Sequence, residues 1–233
     1  MKGGMDLGLE RDGMECAWQV EIDDYCKRVL TKHWPDVQRH SDIRDCGRHN
    51  LAPVDLICGG FPCQDISNAG KRAGIDGERS GLWSEFHRII CELRPRYVLV
   101  ENVAALLNRG IERVLGDLAA SGYDAEWDCL PASAVGAPHL RDRLFIIAYS
   151  QGLKTGGAFA QHSKRETSER WALKTPPARG RTGLPGVADW GSTPAVCRVD
   201  DGISVNVDRL AVLGNAVVPQ VAEWIGRRIL EAA

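Results

Sequence analysis

Three short stretches place reactive side chains where strands should end. Residues 59–67, GGFPCQDIS, follow the apolar run VDLIC. Cys58 lies inside that run, where a packing cysteine belongs, whereas Cys63 comes after Phe-Pro, where the chain leaves the core. Glu101 and Asn102 close the run YVLVENV, residues 97–103. Arg141 and Arg143 lie in PHLRDR, immediately before LFIIAYS. A thiolate is a nucleophile, a carboxyl moves protons, and guanidinium groups steady a developing anion. Together these types describe covalent catalysis assisted by proton transfer. Each residue also has a plainer reading. Cys63 can be a core cysteine, Glu101 can favour the start of the helix near Ala104, and the arginines can be surface charges. A cysteine hydrolase finds little support, because neither His87, in a helical stretch, nor His139, beside the arginines, is placed as a partner for Cys63.

The elements that must position these groups alternate in type. Residues 16–22, 54–60, 97–103, 123–130 and 144–150 read as strands, and residues 23–33, 80–93 and 105–122 as helices. Such alternation predicts an α/β fold with a mostly parallel sheet covered on both faces. Ligands of such sheets bind beyond the carboxyl ends of the strands. Arg141 and Arg143, one residue apart, are expected on one side of an extended chain. Residues 150–205 are basic, rich in Gly, Pro and Thr, and without periodicity. An amphipathic helix returns over the last fifteen or so residues, with Pro219 in its first turn. The chain therefore divides into an alternating strand–helix part (1–149), a basic irregular region (150–205) and a closing segment (206–233).

Composition narrows the class. The chain has 233 residues and a formal net charge of −2, so bulk charge announces no nucleic-acid partner. No apolar run is long enough to span a membrane, and the N-terminus lacks the apolar core of a signal peptide. Eight cysteines, at 16, 26, 46, 58, 63, 91, 129 and 197, are scattered through regular elements, which suits a reducing compartment. A soluble, cytoplasmic, monomeric protein is expected. Cys58, Cys63, His87 and Cys91 contain no C-x2-C pair, so no metal site is expected.

Taken in order, the stretches resemble the C5-cytosine DNA methyltransferase family. GFPCQDIS resembles its Pro-Cys loop and ENV its glutamate motif. PHLRDRLFIIA resembles its Gln-x-Arg-x-Arg motif, with His139 where glutamine is usual, and LGNAVVPQV its C-terminal cofactor-side motif. The resemblance implies a Rossmann-like sheet with helices on both faces and a small irregular target-recognition region. It implies methyl transfer from S-adenosylmethionine to C5 of a flipped-out cytosine in duplex DNA, of phage or restriction-modification type. By the same resemblance Cys63, Glu101, Arg141 and Arg143 are catalytic. Pro62, Gln64, Ser67 and Asn102 meet the substrate. Gly3, Gly4, Glu21, Asp42, Ile43, Leu82, Asn215 and Val217 surround the cofactor. Residues 64–80 correspond to a closing loop, and Trp171 and Trp190 fall in the variable region that faces DNA.

The chain also departs from that pattern. The family opens on an apolar strand and a Phe-x-Gly-x-Gly-Gly loop, of which only Gly3-Gly4 stand here. That strand is expected between those at 16–22 and 54–59. Two origins fit, a start placed downstream of the true one or a shortened copy. The second carries a rival function, a remnant that binds DNA weakly without using cofactor. The recognition sequence is not legible, because base readout needs fixed side chains that residues 150–205 do not identify.

Overall fold

The computed structural model describes residues 3–62, 82–137, 139–151 and 216–232. Cys63, Gln64, Ser67, Asn215, the whole closing loop and nearly all of the variable region, with Trp171 and Trp190, lie outside the described residues.

The strongest local signal is the run at 97–103. Strand β4 (Tyr97–Val103) is buried along its first six residues. Alternate side chains of a strand face opposite ways, and here both faces are covered. Val98 and Val100 join one apolar cluster with Ile57, Phe86, Ile90, Leu118 and Ile146. Tyr97 and Leu99 join a second with Met5, Leu9, Phe145, Val221 and Ile225. The first cluster is capped by α3 (Leu82–Leu93) and α4 (Ile111–Ala120). The second is capped by α1 (Gly4–Arg11) and α5 (Pro219–Ala232). The result is a three-layer sandwich of helices around one sheet.

The sheet is mixed rather than mostly parallel. Its order is β3 (Leu56–Gly60), β4, β6 (Asp142–Ser150), β5 (Tyr123–Pro131). β3 and β4 are parallel, while β6 is antiparallel to both of its neighbours. The reason is the link between β5 and β6, residues 132–141. It is too short for the crossover that a parallel pair requires, so the chain turns back. β1 (Trp18–Val20) and β2 (Gln38–His40) form a separate two-stranded parallel sheet. Between them runs α2 (Asp24–His33), whose N-cap Asp23 accepts from the Cys26 N–H. Trp18 and Val20 still pack against the first cluster. Among the described residues the two sheets share no hydrogen-bonded rung.

One local expectation needs correction. The stretch 105–122 is not one helix. A 3-10 turn at Ala104–Asn108 precedes α4, and between them Gly110 has φ 143°, a conformation that only glycine adopts readily. Residues 4–11 form a helix although their glycines argue against one. α1 forms because tertiary packing overrides propensity: Gly4 and Gly8 let it lie against α5. A Cβ at Gly8 would come within 2.6 Å of the Ala222 Cβ and 2.8 Å of the Glu223 backbone nitrogen. Gly8→Ala therefore gains up to ~1 kcal/mol of helix propensity but must push a helix backbone aside. We expect a net loss of about 1–3 kcal/mol, and a Tm lower by roughly 2–4 °C per kcal/mol. Gly116, inside α4, has nothing within 4 Å of a Cβ, so Gly116→Ala is expected to gain about 0.4–1 kcal/mol. Thermal melts of the two variants check the pair, and a common sign would contradict the packing argument.

Candidate active site

The carboxyl ends of β3 and β4 hold the chemistry. Gly60 pairs with Glu101 as the last rung between these strands. Opposite Glu101 on β6 stands Phe145, and opposite Val103 stands Arg143. Glu101 and Arg143 are therefore diagonal neighbours on one face, close enough for long side chains to meet. Arg143 Nε lies 3.1 Å from Glu101 Oε1. Glu101 is only 8 % exposed. Burial pushes its carboxyl above the usual carboxylate range, while the charges of Arg143 and Arg141 oppose that rise. A carboxyl held this way keeps a proton to higher pH than an exposed one.

The two arginines do not lie on one regular strand: Arg143 is in β6, and Arg141 stands just ahead of it. Arg141 has φ 41°, which breaks the extended conformation the sequence implied. Its guanidinium donates to the Ala216 carbonyl, ahead of Val217 and α5. Arg143 keeps the Glu101 contact. Asn102 is 3 % exposed; its Nδ2 donates to the Phe61 carbonyl at 3.2 Å and its Oδ1 accepts from the Val103 N–H. Both ends of the side chain are engaged by backbone. Phe61 and Pro62 carry the chain out of β3 toward Cys63.

The residues expected around a cofactor fall in two groups. Glu21 and Asp42 both stand just past the carboxyl ends of the paired strands β1 and β2, and the Glu21 N–H donates to the His40 carbonyl. Glu21 also accepts from the Asp23 N–H. Asp42 caps a 3-10 turn at Ile43–Asp45, accepting from the Arg44 N–H. Beside Glu21, Ile22 is 69 % exposed, an apolar side chain left in solvent. A carboxylate next to an exposed apolar side chain fits a nucleoside, with hydroxyls for one and a ring for the other. The second group is Gly3, Gly4 and Val217. Gly3 stands at the α1 N-terminus with φ 77°, and a Cβ at Gly4 would collide with the Val217 carbonyl. Leu82 opens α3.

Sequence reasoning missed the residue that holds the Asp42 segment. Arg88 donates to the carbonyls of Ile43 and Cys46 and pairs with Glu85 and Glu92. The signal was available, since Glu85, Arg88 and Glu92 have the i, i+3 and i, i+4 spacing of a helical face. The exposure of Ile22 was not legible either, because alternation along a strand does not say where the strand stops.

Two further chemistry-bearing side chains among the described residues are otherwise occupied. Burial drives the Cys58 thiol far above its ordinary value, which suits a packing role. His87 Nε2 lies 3.0 Å from the Asp117 carbonyl and 2.7 Å from Ser121 Oγ. Among the described residues no cluster of three or more His, Cys, Asp or Glu could hold a metal, and no helix is long and apolar enough to cross a membrane.

A family model described as C-5 cytosine-specific DNA methylase matches residues 2–179. The chain is 36 % identical over 154 residues to the type II methyltransferase M2.BsuMI of Bacillus subtilis, covering 63 % of this chain and 39 % of that protein. It is 30 % identical over 175 residues to the type II methyltransferase M.NgoFVII of Neisseria gonorrhoeae, covering 72 % and 46 %. Among solved structures it resembles a prophage-encoded DNA modification methyltransferase from E. coli, with a TM-score of 0.55 and 30 % identity over 65 % of this chain and 45 % of that one. The chain thus spans less than half the length of these relatives.

Proposed function

This chain belongs to the C-5 cytosine-specific DNA methylase family, and from that premise we propose that it methylates C5 of cytosine in duplex DNA as the modification enzyme of a type II restriction-modification system. The observation that carries the reading is the buried Glu101–Arg143 pair at the carboxyl end of β4, beside the exit of β3 toward Cys63. The proposed setting is a cytoplasmic monomer acting on DNA.

Cytosine C5 is a poor nucleophile, so the reaction starts at C6. Cys63 Sγ adds to C6, and the electron pair of the C5–C6 bond becomes available at C5. Charge moves toward N3, where a protonated Glu101 donates its proton. The Arg143 guanidinium steadies the developing charge near O2. S-adenosylmethionine, when bound, supplies an electrophilic methyl group on a sulfonium. With the methyl group on C5, water or hydroxide takes the C5 proton, that electron pair restores the C5–C6 double bond as the C6–S bond breaks to release the Cys63 thiolate, and N3 returns its proton to Glu101. Glu21 would take the ribose hydroxyls, Ile22 the face of the adenine, and Asp42 its amino group. A stacked base is out of reach of these groups, so the cytosine must leave the helix.

The test is transfer of tritium from methyl-labelled S-adenosylmethionine to mixed-sequence duplex DNA, followed by digestion to nucleosides. Label in 5-methylcytosine is the expected result. Label on an exocyclic amino group, or none on DNA, would overturn the proposal.

A further inference from the structure

Asn102 was expected from the sequence to touch the substrate; the structure assigns it another task. We propose that Asn102 is a positioning residue that clamps the exit of β3, so that the chain leaves the sheet at Phe61 from one fixed point. The proposal rests on the function given above. Three observations carry it. First, Gly60–Glu101 is the last rung of the β3–β4 ladder, and Pro62 has no N–H with which to extend it. The Phe61 carbonyl therefore lies at the end of the ladder and needs a donor. Second, Asn102 supplies that donor through Nδ2, while its Oδ1 is held by the Val103 N–H. The amide is thus oriented from one side and bonds from the other, within a site only 3 % exposed. Third, the Phe61 ring is anchored separately, with its centroid 5.5 Å from that of Trp83. Phe61 is then fixed by ring and by carbonyl, two residues ahead of Cys63 in the chain. The same strand presents Glu101 and holds the exit of its neighbour, so the acid and the Phe61 carbonyl share one rigid reference.

Asn102→Ala removes both hydrogen bonds. Asn102→Asp keeps an acceptor for the Val103 N–H but turns an oxygen on the Phe61 carbonyl. Two readouts decide the role. Hydrogen exchange, followed by mass spectrometry, should speed up in the peptide covering 56–62 in both variants and stay unchanged in peptides from α4 and α5. Single-turnover methyl transfer at saturating DNA should fall on the order of 10²-fold, the effect of a small misplacement of a reacting group, with Kd for duplex DNA unchanged. Exchange at the wild-type rate in both variants would overturn the clamp. So would a loss of transfer matched by an equal loss of DNA affinity, which would make Asn102 a substrate contact. If the wild-type chain transfers no methyl group, the failure belongs to the proposed function, and the exchange readout still decides whether Asn102 holds the exit of β3.

Discussion

Cys63→Ala should lose methyl transfer by roughly 10⁴-fold or more, since removing a covalent nucleophile leaves only binding and electrostatic assistance. Cys58→Ala, five residues earlier, should keep it. The contrast follows from position. Cys58 lies in β3 and packs partly buried against the cluster under α1 and α5. Burial raises its thiol so far that little thiolate forms. Cys63 follows Pro62, past the last rung of the ladder. Initial rates with labelled S-adenosylmethionine check the pair. Trapping on DNA containing 5-fluorocytosine adds a second view, because fluorine cannot leave as a proton and the C6–S bond should persist. Wild type and Cys58→Ala should form the trapped complex and Cys63→Ala should not. A trapped complex that survives Cys63→Ala and disappears in Cys58→Ala would exchange the two roles.

Glu101→Gln should separate activity from stability. The amide fills the same space but cannot give up a proton to N3, so transfer should fall by about 10²–10⁴-fold. Stability should move the other way. Burial raises the folded-state value of the Glu101 carboxyl, against the pull of Arg143. Between the unfolded value and that raised value the folded state binds more protons, so stability declines as pH rises through the interval. Above it the folded state carries the full burden of a buried carboxylate. Glu101→Gln removes that burden, so its Tm at pH 7.5 should equal or exceed that of the wild type. The difference should close below about pH 4, where the carboxyl is protonated in both states. The falling limb of the wild-type rate at high pH should also vanish in the variant. Calorimetry at the two pH values and a pH–rate profile check these outcomes; a variant that is less stable at pH 7.5 would mean the Arg143 attraction outweighs burial.

Much of the frame was legible because its signals are local. The apolar run ending in Glu101 demanded a buried strand, and Tyr97–Val103 is one. Residues 23–33 read as a helix, and α2 begins on its Asp23 cap. Pro219 opens α5 as its position implied. These elements follow from periodicity and capping, which act over a few residues. β2 gave no such signal, because Gln38–His40 is polar and is a strand only through its pairing with β1. α1 gave a misleading one, since its glycines disfavour a helix in isolation and permit one against α5.

The sequence alone determined which residue types stand at strand ends, and hence the chemistry available: a thiol after Phe-Pro, a carboxyl after an apolar run, and two guanidinium groups ahead of another. The tertiary structure decided who meets whom. Glu101 and Arg143 are far apart in the chain and become neighbours only because β6 inserts antiparallel between β4 and β5. Arg141, with a left-handed backbone just ahead of β6, reaches the Ala216 carbonyl, a contact far away in the chain. Asn102 meets the Phe61 carbonyl because β3 ends one residue short of its amide. Strand order, register and backbone hand are properties of distant pairings, and no window of neighbouring residues carries them.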